Sequence, residues 1–157
     1  MTKRVIPDSP QPAFRNPLDK SLPGNIRIGI WASIVSAAML ICIGIFWVAH
    51  PAAAEGSFSI TPDSDAAIRF SKITAIFKAV GDLLPPIFIL LAIGYRQFRL
   101  AGLFHIITLL LVILVDMCTW AAFVPHAQPI DILQHIPFAI PIAIAAFCFL
   151  KPNPVIS

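Results

Sequence analysis

Residues 66–93 read AAIRFSKITAIFKAVGDLLPPIFILLAI, an almost uninterrupted apolar run that carries Lys78 and Asp82 in its middle. As a helix rising about 1.5 Å per residue it measures about 42 Å, longer than the roughly 30 Å hydrocarbon core of a bilayer. Lys78 and Asp82 are four residues apart, so on a helix they share a face and can reach each other. A charge at the bilayer centre costs roughly 2.5–3.5 kcal/mol even on the lenient insertion scale, so a chain that keeps two there must supply partners. The stretch predicts a membrane-crossing helix whose polar side faces other helices, and it marks where function is to be sought.

The rest of the composition agrees. The 157 residues are 58% hydrophobic and 12% charged, with a mean hydropathy of +0.86, whereas soluble domains carry about 25% charged residues. The length allows one all-α domain with about four spans of about 20 residues and leaves little for a soluble catalytic domain. The net charge is +3, but the basic residues flank apolar runs and form no patch with interleaved aromatics, which argues against nucleic acid. Cys42, Cys118 and Cys148 lie within apolar runs without C-x-x-C or Cys/His spacing and read as packing thiols.

Outward from the central helix, residues 1–27 hold Lys3, Arg4, Arg15, Lys20 and Arg27 among scattered prolines and read as a disordered or surface-lying basic tail. A first span is expected over 28–49, with Trp31 and Trp47 as interfacial anchors. The small residues at 51–54 offer a competing signal-peptide reading, against which the apolar run exceeds the usual signal core of about 7–15 residues. Residues 50–65 carry Glu55, Asp63 and Asp65 without Lys or Arg. After the central helix, Gly94-Tyr95-Arg96-Gln97-Phe98-Arg99 is a tight basic turn, which imposes an antiparallel hairpin. A third span is expected over 100–123, a turn-rich connection over 124–134, and a fourth span over 132–150, stopped by Lys151 and two prolines. A short tail at 152–157 ends the chain. Tail, basic turn and Lys151 fall on one side and the acidic loops on the other. The expectation is an integral membrane four-helix bundle over 28–151, both termini cytoplasmic, in the cell membrane of bacterial inner-membrane type.

On the third span, His105, Thr108, Val112, Asp116 and Thr119 fall within about 100° of one another and form a polar stripe that should face inward. Asp116 comes to about the depth of Lys78, which predicts a Lys78–Asp116 ion pair with Asp82 sharing the lysine, and His135 at the outer end of the fourth span as a further member. Trp120 completes the candidate ligand-binding set Lys78, Asp82, Asp116, Trp120 and His135. The alternative is that these charges only neutralise one another and fix helix register. Pro85 and Pro86 cannot donate to the carbonyls of Gly81 and Asp82, leaving those oxygens available to a partner, ligand or water. His105 lies about 16 Å along the helix from Asp116, too far to share a metal. The sequence contains no zinc, nucleophile-elbow or P-loop pattern. His105 and His135 near opposite faces argue against haem.

The order of spans, with Asp65-Ala66-Ala67-Ile68-Arg69, Lys78-Ala79-Val80-Gly81-Asp82-Leu83, Gly94-Tyr95-Arg96, Gly102, Asp116 and His135, resembles a family of small four-span proteins of unknown function related to the DoxX-like group. That family typically shows a K-G-x-R-D motif on its second span, a basic turn, and an acid on its third. The resemblance covers about residues 28–151. Ala79 stands where the family usually has Gly and Gly81 where it usually has Arg, which removes a cation that would balance the second carboxylate. The resemblance implies a four-helix membrane bundle, and the wider group implies a membrane partner of sulfur or quinone redox systems.

Three functions are expected on these grounds. The first is an accessory or binding protein that holds a small amphiphile, such as a quinone or lipid, in an outward-facing pocket. The second is a transporter or proton path using Asp82, Asp116 and His105, and the third is an assembly subunit whose charges set packing. An enzyme ranks last, because no nucleophile or metal constellation is present. The lipid bilayer, a membrane redox partner or a second copy of the chain are the expected neighbours.

Overall fold

In this computed structural model, residues 16, 18–56, 63–111, 113–114, 118–123 and 133–151 are described. The chain is all-helical, and among the described residues no strand occurs. The elements are α1 (Gly24–Ala49), α2 (Pro51–Gly56), α3 (Asp65–Gly94), α4 (Phe98–Leu110), α5 (Cys118–Phe123), a 3₁₀ turn at Leu133–His135, and α6 (Ile136–Leu150).

Two of these, α1 and α3, are long and apolar enough to cross a membrane, with mean hydropathies of 2.3 and 2.0 over their most apolar windows. Only 28% and 33% of those windows are buried, a coverage unlike that of a soluble protein's core helix. Phe70, Phe77 and Phe147 are 68%, 73% and 69% exposed, so large apolar side chains clothe the outside as well as the inside.

Ser64 starts α3 by accepting the Ala67 amide with its hydroxyl at 3.2 Å, and Asp65 places a carboxylate in the first turn. Pro85 and Pro86 lie inside α3, which continues through them to Gly94. The helix closes on a Schellman pattern: the Gln97 amide bonds the Ala92 carbonyl at 2.8 Å and the Arg96 amide bonds that of Ile93 at 2.9 Å. Glycine usually fills the left-handed position of this motif, but here it is Arg96, with φ of 56°.

α1 packs against α3 and α6, and α4 packs against the same two. Small residues at these contacts let the helices approach closely. A Cβ on Gly29 would meet the Phe149 ring at 2.7 Å, and one on Gly102 would meet Leu150 at 2.9 Å. Around these contacts Ile26, Ile30, Ile93, Phe98 and Phe149 form a core at the basic-turn end, with the Phe98 and Phe149 rings stacked at 5.7 Å.

Two sequence expectations need adjustment. Helix α1 begins at Gly24, four residues earlier than the expected span. The segment before it is docked where described: Leu22 is buried and the Asp19 carboxylate meets Arg96 at 2.8 Å. Residues 51–56, expected as loop, form α2, whose Ala54 is fully buried. The expected third and fourth spans agree with the structure: every described residue of 98–123 and of 133–150 is helical. α4 has 13 residues and passes into wider π-type turns at 111, 113 and 114, and α6 has 15 residues.

Candidate functional site

Near the midpoint of α3, Lys78 Nζ donates to Asp82 Oδ1 at 2.8 Å. One helical turn separates the two, so local geometry alone brings them together. The carboxylate is the more enclosed member, its side chain 11% exposed against 33% for the lysine. Ser71, Ala75 and Ala79 continue the buried face of α3 above Asp82. They let α1 come close: a Cβ on Gly44 would lie 2.9 Å from Leu83 Cγ and 3.2 Å from the Ala79 carbonyl oxygen. Pro85 and Pro86 deny the Gly81 and Asp82 carbonyls their usual amide donors one turn below the ion pair. Gly81 itself faces outward, where an added Cβ meets nothing within 4 Å among the described residues. A side chain at that position points away from the Asp82 face.

Helical rise fixes the level of His135. Gly29 of α1 touches Phe149 of α6, and Gly44 of α1 touches α3 at Ala79 and Leu83. Gly44 lies about 22 Å along α1 from Gly29, and His135 lies about 21 Å from Phe149 in the same direction. His135 therefore stands at the depth of the Lys78–Asp82 pair. It is half-buried, and its Nε2 has no hydrogen-bond partner among the described residues. Asp116 lies outside the described residues, so the expected Lys78–Asp116 contact does too. Trp120 falls in α5, and its side chain is likewise outside the description.

The inward half of the third-span stripe is present in His105 and Thr108, which are 0% and 4% exposed. Ser33 on α1 is the partner that sequence reasoning missed. Its Oγ lies 2.8 Å from His105 Nε2 and 2.8 Å from the Gly29 carbonyl oxygen. A serine has one hydroxyl hydrogen; given to Gly29, it leaves the oxygen to accept from Nε2–H, an assignment made from the network. His105 Nδ1 is then the bare acceptor, buried and without a partner among the described residues. Phe149 covers the ring, with centroids 6.2 Å apart. The signal for Ser33 was its place in the small-residue series Gly29, Ser33 and Ala37, spaced to lie on one helix face.

These are two polar layers. Ser33 is eleven positions from Gly44, so the Ser33–His105 contact lies about 16 Å nearer the basic turn than the Lys78–Asp82 pair. Between them, the Ser36 and Thr108 hydroxyls donate to their own helices, at the Ser33 and Phe104 carbonyls.

At the basic-turn end, Arg96 Nη2 donates to Asp19 Oδ2 at 2.8 Å, and the Ser21 amide donates to Asp19 Oδ1 at 2.9 Å. The Ser21 amide first, and then the guanidinium, hold the Asp19 carboxyl down at about 2. Comparison with protein-family models, curated proteins and solved structures returned no match.

Proposed function

We propose that the chain is a four-span bundle of the cell membrane with both termini cytoplasmic, and that it binds a small amphiphile such as a quinone or lipid as an accessory protein. The ion pair at the middle of α3 carries this reading. It lies one turn above Pro85 and Pro86 and at the level of His135, whose buried Nε2 has no hydrogen-bond partner among the described residues. An ammonium, a carboxylate and an imidazole bind the polar head of such a molecule, and the exposed apolar faces accommodate its tail. The separation of about 16 Å between the polar layers, with intervening hydroxyls turned to their own helices, disfavours a continuous proton path through His105. The DoxX-like resemblance agrees with a membrane redox partner as neighbour.

Extraction in a mild detergent followed by mass spectrometry of bound small molecules tests the proposal. A quinone or lipid should accompany the wild-type chain in near-stoichiometric amount and be lost from the Lys78→Met/Asp82→Leu double variant. Equal recovery from both would refute it.

A further inference from the structure

Ahead of α1, residues 18–22 form a turn whose amides donate within the segment. The Leu18 amide bonds Asn16 Oδ1 at 2.9 Å, the Ser21 amide bonds Asp19 Oδ1 at 2.9 Å, and the Leu22 amide bonds the Asp19 carbonyl at 3.2 Å. Pro23, with φ of −52° and ψ of 146°, is the extended joint between this turn and α1, which starts without a side-chain cap. Two side chains tie the turn to the bundle. Asp19 Oδ2 accepts from Arg96 Nη2 at 2.8 Å, and Leu22 is buried in the same cluster as Ile26, Ile93 and Phe98. On the other side of the ion pair, Arg96 holds the left-handed position of the α3–α4 hairpin with φ of 56°. Glycine takes that conformation without the Cβ penalty that an arginine meets there. What the arginine adds is reach: its guanidinium meets a carboxylate 77 residues away in the sequence.

We infer that residues 18–22 are a latched strap: Arg96 holds them against the basic-turn end of the bundle, and they open as a unit about Pro23 while the helices stay folded. The latch is weak by its placement. The Asp19 and Arg96 side chains are 38% and 27% exposed, and an ion pair in such surroundings is screened by salt and holds loosely. Opening breaks the ion pair and unseats Leu22, but leaves the amide bonds inside the turn intact. A segment tied by so few buried apolar contacts opens well below the free energy of global unfolding. Once open, it uncovers the Arg96 guanidinium and the place that Leu22 fills in the core. Arg96 is thus a positioning residue for the strap, present in the hairpin despite its left-handed backbone. This device is separate from the Lys78–Asp82 pocket and does not rest on it.

The test is limited proteolysis of the full chain in detergent, with cleavage after Lys20 followed by mass spectrometry. Trypsin cuts extended segments, so this cleavage tracks the population of open strap, and substitutions at Arg96 leave the cleaved sequence unaltered. Arg96→Gly should speed cleavage after Lys20 by up to about fivefold, the effect of losing an exposed ion pair. It should do so without lowering the thermal unfolding midpoint, because glycine relieves the left-handed backbone. Raising salt from about 0.05 M to about 0.5 M should speed the same cleavage in the wild-type chain and leave that of Arg96→Gly unchanged. Arg96→Gln removes the latch without altering backbone freedom and should speed the cleavage to the same extent, which keeps the test intact if the glycine variant fails to fold. Cleavage at the wild-type rate in both variants would overturn the inference. So would cleavage that rises only in step with a fall in the unfolding midpoint, which would make the segment a fixed part of the fold.

Discussion

Ser33→Ala is the substitution whose effect the structure predicts most sharply. Ser33 and His105 are both 0% exposed, and their 2.8 Å contact joins α1 to α4 across the bundle. Removing the hydroxyl leaves Nε2 buried without its acceptor, beside an Nδ1 that has no partner among the described residues. An orphaned buried donor costs about 1–3 kcal/mol, whereas interhelical hydrogen bonds measured in a membrane average only about 0.6 kcal/mol. We expect a loss of about 1–2 kcal/mol, close to a tenfold change in the unfolding equilibrium at the middle of that range. Ser36→Ala and Thr108→Ala are internal controls of nearly equal burial. Their hydroxyls return to carbonyls of their own helices, so each should stay within about 0.5 kcal/mol of wild type. Equilibrium unfolding in mixed micelles, followed by far-ultraviolet circular dichroism, reads the difference. The His105→Phe/Ser33→Ala double variant removes both polar groups and should be more stable than the two single losses predict, by about 1 kcal/mol. The reasoning fails if Ser33→Ala costs no more than Ser36→Ala, or if the cycle shows no coupling.

Gly29→Ala drives a Cβ to 2.7 Å from a Phe149 ring held between Phe98 and His105. It should lower stability by about 1–3 kcal/mol, whereas Gly81→Ala, entering open space, should be neutral or raise it by up to about 1 kcal/mol in the same unfolding assay. Lys78→Met leaves the Asp82 carboxylate without the ammonium it meets at 2.8 Å and should cost about 2–3 kcal/mol, the lysine being one-third exposed. Lys78→Met/Asp82→Leu should recover most of that loss in membrane abundance by immunoblot, and a double variant as depleted as the single would count against a mutually compensated pair. Asp19 has its folded pKa lowered to about 2 from 3.8, so its contribution is complete above the unfolded value and fades as pH falls through about 2. Carboxyl chemical shifts should show that low midpoint. In Arg96→Gln it should rise only part of the way back, because the Ser21 amide still donates to the carboxylate.

What could be read from the chain was what local geometry dictates. The run at 66–93 is helical in the structure, the Lys78–Asp82 contact follows from a spacing of one turn, and the stretch 94–99 is the hairpin turn its brevity required. Orientation along each helix was harder. In a soluble helix, hydrophobic periodicity says which face is inside, but here Phe77 at 73% exposed and Ile89 at 1% exposed are equally apolar. When the surroundings are as oily as the core, periodicity loses its meaning, and small or polar residues become the guide to the packed face. That guide located His105 and Thr108 on an inward stripe without identifying what His105 meets. Ser33 lies 72 residues from it, Asp19 lies 77 residues from Arg96, and Gly29 touches Phe149 at the far end of the chain. Each of these contacts depends on how the helices pair and slide past one another. The amino-acid order determined the rods and their short-range charge pair; the tertiary structure decided which faces of those rods meet, because one-turn contacts are set by backbone geometry and contacts between helices by their packing.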